Sequence, residues 1–374
     1  MIAIAIDTIL TPISLIAGHM GIPLAWHFFK IPFLMVFAIA FLKSISNGIN
    51  LTPFNILFIS IGFIAIIVGL SRGQLNAAFF AHTYHFILAV TCFSLGRVLD
   101  LNLLKKLILR SFNFLIVYAV ILSIIYYQCY RFGIISYWGI SSNFGYIAVV
   151  LLATNRFKQS LFMIISIILT GKRTVLIGTF ITGIILSLFR RQRLHKTIAP
   201  LLLFFVIGVI GFYTGFLSRF SSAFELEDKA RFWYVLTSGR NFEIIYALQE
   251  FKTIIDWIIG FGYGMSFEIP IGPEDLDKTY ILHYTHFSPT SMLLLYGSFF
   301  TSVLYIIFFN MSWKAIKFSS GEFGPFCALY LYAFITSFAG ATIFVDGKFW
   351  LLLGIISQIN YLNNRPKKNV LQKN

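Results

Sequence analysis

FNILFISIGFIAIIVGL, residues 54–70, carries two polar side chains, Asn55 and Ser60, and no charge. A helix needs about 20 mostly apolar residues to cross hydrocarbon, and this run comes close to that length. Comparable runs recur at 1–18, 23–42, 77–96, 112–130, 134–153, 157–170, 174–189, 198–217, 290–310, 325–344 and 348–362. The repeated length and the rarity of alternation favour helices over a barrel. The expected fold is therefore all-α and polytopic, with about 12 transmembrane helices. The first run lacks a basic flank and a cleavage pattern, so it is read as a span and not as a removed signal.

Composition leads to the same place. Of 374 residues, 58% are hydrophobic, 18% aromatic and 11% charged, with a mean hydropathy of +0.83. Soluble domains lie nearer half apolar and a quarter charged. The solvent for most of this chain must be the lipid bilayer.

A net charge of +15 would suit a nucleic-acid ligand if it were gathered in one place, but it is not. Residues 218–289 hold six Lys/Arg and ten Asp/Glu, and the rest of the chain carries the basic excess. Basic residues in short loops between apolar runs are orientation signals. Arg97, Lys105, Lys106 and Arg110 share one connection, Arg190, Arg191, Arg193 and Lys196 another, and Arg365, Lys367, Lys368 and Lys373 the tail. Putting these in the cytoplasm places both termini inside, with 17 basic residues inside and six outside when 218–289 is left out. Three regions follow: 1–217 with nine spans, 218–289 outside the cytoplasm, and 290–374 with three spans and a basic cytoplasmic tail. Cys92, Cys129 and Cys327 all lie in apolar runs, which implies neither a disulfide nor a metal framework. Leucines interleaved with lysines make 97–111 an interfacial segment on the cytoplasmic side.

The region 218–289 is too patterned to be a linker. Ile244, Leu248, Phe251, Ile255 and Ile258 are spaced four, three, four and three, which predicts one amphipathic helix over 241–259. Asn241, Gln249, Glu250, Thr253 and Asp256 fall on its wetter side. Ser238 and Gly239 would start it, and Gly260-Phe261-Gly262-Tyr263-Gly264 would stop it. Without a preceding strand, that glycine run is no dinucleotide site.

A few residues depart from this background. Arg240 stands at the start of the predicted helix, where a cation is mildly unfavourable unless an anion binds at the exposed N–H groups. Its plain alternative is an exposed loop arginine. Lys172 and Arg173 lie between two short spans, on the side where the positive-inside rule disfavours them. They can hold lipid-linked phosphate or simply snorkel to headgroups. His283 and His286 precede the span at 290, without the carboxylate or cysteine that a metal set requires. One histidine there can act as a general base, or merely sit among interfacial aromatics. His82 and His85 are read as packing residues of the fourth span. Glu274, Asp275 and Asp277 are read as a solvated loop tip.

Three local runs resemble motifs of the bacterial O-antigen ligase and Wzy-type O-antigen polymerase superfamily. Leu169-Thr170-Gly171-Lys172-Arg173-Thr174 is similar to its small-residue-plus-arginine motif. Thr237-Ser238-Gly239-Arg240, followed by Ala247-Leu248 and Ile259-Gly260-Phe261-Gly262, resembles its Ser-Gly-Arg run. Thr285-His286 before Leu293-Leu294-Leu295-Tyr296-Gly297 resembles its His-Asn entry to the next span. The resemblance covers about residues 165–300. Phe287 stands where the family often has Asn, and Ile244 or Ile245 where it has Trp.

The resemblance implies a GT-C-like fold in the bacterial inner membrane and metal-independent inverting glycosyl transfer without a cofactor. The donor would be an undecaprenyl-diphosphate-linked glycan, and a chain-length regulator would be a further partner. Arg173 and Arg240 would neutralise the diphosphate, and His286 would activate the acceptor hydroxyl. Lys172, Arg219, Arg231 and His283 would contribute to substrate binding. Polymerase and ligase share this chemistry and differ in the acceptor. A flippase or transporter is the reading from another class, but no repeated halves are evident, and Asp7 is almost the only acid within a span.

Overall fold

The computed structural model describes residues 52–133, 143–169, 173–189, 206, 228–237, 239–270, 279–339 and 343–364. The chain over these residues is mostly helical. In order, the helices are α1 (Pro53–Ser71), α2 (Ala77–Val98), α3 (Leu101–Arg131), α4 (Asn143–Ala153), α5 (Phe157–Leu169) and α6 (Arg173–Phe189). Next come α7 (Lys229–Thr237), α8 (Arg240–Gln249) and α9 (Ile254–Ile259), then a hairpin of β1 (Phe267–Pro270) and β2 (Thr279–Leu282). The chain ends with α10 (Ser288–Phe318), α11 (Gly324–Ser337), a 3₁₀ turn at Ile343–Val345 and α12 (Gly347–Asn364). Four helices, Pro53–Ser71, Ala77–Val98, Leu101–Cys129 and Ser288–Phe318, are long and apolar enough to cross a membrane. The protein is a helical membrane protein. The expected spans at 1–18, 23–42 and, apart from Val206, 198–217, with the basic residues 190–196, the acidic cluster 274–277 and the basic tail, lie outside the described residues.

Helix ends follow local chemistry. Thr52 accepts from the Asn55 N–H at 3.3 Å, with Pro53 in the first turn of α1. Asn76 caps α2 by accepting from the Phe79 N–H at 2.9 Å. Asp100 accepts from the N–H groups of Asn102 and Leu103 at 2.9 and 3.0 Å, and so starts α3. With no breaker after it, α3 runs through both the expected interfacial segment and the following span as one helix. Close packing sets the bundle. A Cβ at Gly96 of α2 would overlap the Leu351 carbonyl of α12, and one at Gly354 would overlap that of Phe93. Membrane helices approach at such small residues. Phe58, Phe93 and Trp350 fill the core beside them, with Phe58 stacked on Trp350 at 4.4 Å between centroids.

Two expectations for 218–289 need correction. The single helix predicted over 241–259 is two helices, and its apolar stripe does not hold. Thr253 starts α9 with a capping box: its hydroxyl accepts from the Asp256 N–H, and Asp256 accepts from the Thr253 N–H at 2.9 Å. Asp256, expected on the wet side, is buried, while Ile255 and Ile258 are exposed. The spacing was helical, but a partner at long range decided the facing: Arg72 reaches Asp256 at 2.7 Å.

The glycine run after α9 does more than stop a helix. It threads between α1, α2 and α10. Phe261 and Gly262 donate to the carbonyls of Leu294 and Leu295 at 2.7 and 3.2 Å, and Tyr263 donates to Ala65 at 3.0 Å. The α10 carbonyls are available because Gly297 interrupts that helix at φ +71°, ψ 176°. Irregular backbone at this depth is tolerated where protein satisfies its polar groups. His82 of α2 completes the seat by accepting from the Gly264 N–H at 3.1 Å, which fits its reading as a packing residue.

Candidate functional site

The turn between β2 and α10 is locked before His286 is reached. Thr285 and Ser288 are fully buried. The Thr285 N–H donates to Ser291 Oγ at 2.9 Å, Ser291 Oγ donates back to the Thr285 carbonyl at 2.8 Å, and Ser288 Oγ accepts from the Ile343 N–H at 2.9 Å. His286 is thus carried on a rigid backbone at the head of α10. Phe287 forms the N-cap without a side-chain hydrogen bond and packs on Phe338 at 6.2 Å between centroids. At this position an aromatic contact replaces the cap that an asparagine would supply.

The residue that organises the site is Glu243, which the sequence reading did not single out. Its side chain is 7% exposed. One oxygen accepts the His286 N–H at 2.7 Å, and the two oxygens lie 2.8 and 3.0 Å from His286 Nδ1. A single carboxylate therefore fixes both the backbone and the ring of His286. In the neutral ring with Nδ1–H donating to Glu243, Nε2 carries the lone pair. The imidazole is 48% exposed and open to an incoming hydroxyl. This is the geometry of an oriented general base. One signal in the sequence could have found Glu243: it lies three residues after Arg240 in the first turn of a helix, on the same face.

Arg240 opens α8 after Gly239, which occupies the left-handed region at φ +81°. It is not a loop arginine. Half-buried, it donates through Nη1 to the Ala339 carbonyl beyond α11, and it lies 3.5 Å from Thr174 Oγ1. Thr174 is the residue next to Arg173, so the fold brings Arg240 to the chain position beside a second predicted cation, across 66 residues of sequence. Arg173 opens α6, while Lys172 and Arg219 lie outside the described residues.

The other candidates sort by distance. Arg231 is exposed on α7, which packs along α8. Its neighbour Tyr234 lies 5.2 Å edge-on to Phe242. His283 is exposed, with its ring 6.5 Å from that of His82. Tyr280 of β2 adds a hydroxyl that no motif or spacing in the chain marks out. Burial, then the Glu243 carboxylate and Tyr234, hold its pKa above the usual tyrosine value. It stays a neutral donor beside the carboxylate.

The site therefore offers a guanidinium held at the Ala339 carbonyl and an imidazole oriented by Glu243, which lies one helical turn after Arg240. No family model, no curated protein and no solved structure matches the chain.

Proposed function

We propose that this protein is a membrane glycosyltransferase that joins undecaprenyl-diphosphate-linked oligosaccharide repeat units into O-antigen or a related surface polysaccharide. The reading places it in the bacterial inner membrane with about twelve spans, a GT-C-like arrangement, both termini in the cytoplasm and the site on the outer face. One observation carries the proposal: the buried glutamate that orients His286 lies one helical turn from Arg240, whose guanidinium reaches the residue beside Arg173.

The chemistry needs a proton acceptor and a charge sink, and it needs them close together. His286 Nε2 takes the proton of the acceptor hydroxyl as that oxygen attacks the anomeric carbon. The bond from the anomeric carbon to the diphosphate oxygen breaks on the opposite side, and its electron pair leaves with the diphosphate. Arg240, with Arg173, offsets the negative charge that grows there. Preorganised cations stabilise such charge most strongly in a site shielded from water. Inversion follows from direct displacement.

The test is complementation of a deletion strain with His286→Ala, Arg240→Ala and Arg173→Ala, followed by gel analysis of the surface glycan. A polymerase defect leaves single repeat units on their anchor, whereas a ligase defect leaves no glycan attached. A normal long-chain ladder from all three variants refutes the assignment.

A further inference from the structure

We propose that helix α9 is a lipid-contacting element lying at the membrane boundary nearest the His286 site, with Ile254, Ile255, Trp257 and Ile258 against acyl chains. The inference stands whether or not the transferase reading holds, since it rests on the bundle and not on the chemistry.

Five of the six α9 residues are apolar, and the protein does not cover them. Ile254 is 78% exposed, Ile255 62%, Trp257 41% and Ile258 49%. The one acid points the other way: Asp256 is buried against Arg72 and Thr253. A helix bathed in water would be turned round, with its carboxylate out and its isoleucines in. Here the charge is sheltered and the hydrocarbon presented, as on an interfacial helix.

Two membrane helices fix its depth independently. Arg72, which holds Asp256, is the residue that caps the end of α1. On α10, a Cβ at Gly297 would overlap the Ile258 carbonyl, so α9 crosses that helix at its interruption. The part of α10 beyond this point, 297–318, is about 33 Å long at 1.5 Å per residue, close to the thickness of a bilayer core. Both helices put α9 at the same boundary, where Trp is favoured. Near the points where α9 meets these helices, Ile67 and Leu70 of α1 and Phe299 of α10 are apolar and exposed as well. Apolar surface on the spanning helices themselves argues for lipid as the occupant and against a second protein.

The experiment uses the full chain in vesicles of phosphatidylethanolamine and phosphatidylglycerol, with Cys129 replaced by serine and the buried Cys92 and Cys327 retained. A nitroxide is attached in turn at Ile254→Cys, Ile255→Cys, Ile258→Cys and, as the wet reference, Lys252→Cys. The ratio of collisions with oxygen to those with a soluble nickel chelate is expected to be several-fold higher at 254, 255 and 258 than at 252. An equal ratio overturns the proposal, and so does exclusion of both reagents, which means protein covers the face. In the otherwise unaltered protein, Trp257→Phe should remove part of the fluorescence that brominated lipid quenches. Loss of an iodide-quenched share instead also overturns it.

Discussion

Glu243 and Asp256 are both buried acids, one turned to a histidine and the other to an arginine, and they predict different experiments. Glu243→Gln keeps the size of the side chain but can no longer hold Nδ1–H by charge or fix the tautomer. Transfer in purified protein is expected to fall about tenfold or more, with substrate KM little changed. His286→Ala removes the proposed base and should cost about 100-fold or more. Measured rates within twofold of the unaltered protein would remove both residues from the mechanism. For Asp256, burial works to raise the carboxyl pKa, but hydrogen bonds from Arg72 and Thr253, with the Arg72 charge, outweigh it. The folded pKa is thus below the ordinary aspartate value of about 3.8. The sign follows: its stabilisation is present above that value and is lost as pH falls through the lower, folded one. Arg72→Met should destabilise by about 1–2 kcal/mol, less than a fully buried pair because Arg72 is partly exposed. Asp256→Asn in the same chain should restore part of that loss, as read by thermal unfolding in detergent.

Elements show where local rules suffice and where they do not. The caps at Thr52, Asn76 and Asp100 were written in the sequence as polar residues just before apolar runs. The boundary between α8 and α9 was also there, in Thr253 three residues before Asp256, but the four-three spacing of apolar residues across it pointed to one helix. Thr253→Ala should remove about 1 kcal/mol by breaking that cap, checked by unfolding and by hydrogen exchange over 253–259. Gly297 is the stronger case. Its φ of +71° disfavours any L side chain, and a Cβ would also meet the Ile258 carbonyl. Gly297→Ala should cost about 2 kcal/mol or more from backbone strain and lost contact. Exchange should rise in residues 260–264, whose N–H groups depend on the interrupted helix. A variant with unchanged unfolding would mean that the glycine run is seated by other contacts.

At the scale of the whole molecule, two groups of polar contacts among the described residues lie at opposite ends of the long helices. Arg72, Asp256, Arg240 and His286 gather at one. At the other, Lys105 meets Glu322 at 3.2 Å and Gln358 donates to the Leu99 carbonyl at 3.0 Å. Single cysteines at positions 72 and 286 should therefore react with an impermeant reagent from one side of a sealed vesicle, and cysteines at 105 and 314 from the other. Labelling of 72 and 105 from the same side would overturn this arrangement. The membrane class, the helical character and most helix positions were legible in the chain, because the length and polarity of a run must match the bilayer wherever the run ends up. The seating of the glycine run, the outward face of α9 and the pairing of Glu243 with His286 were not. Each joins residues tens to hundreds of positions apart through backbone carbonyls or a single carboxylate. Such contacts exist only once packing has removed water from between the partners.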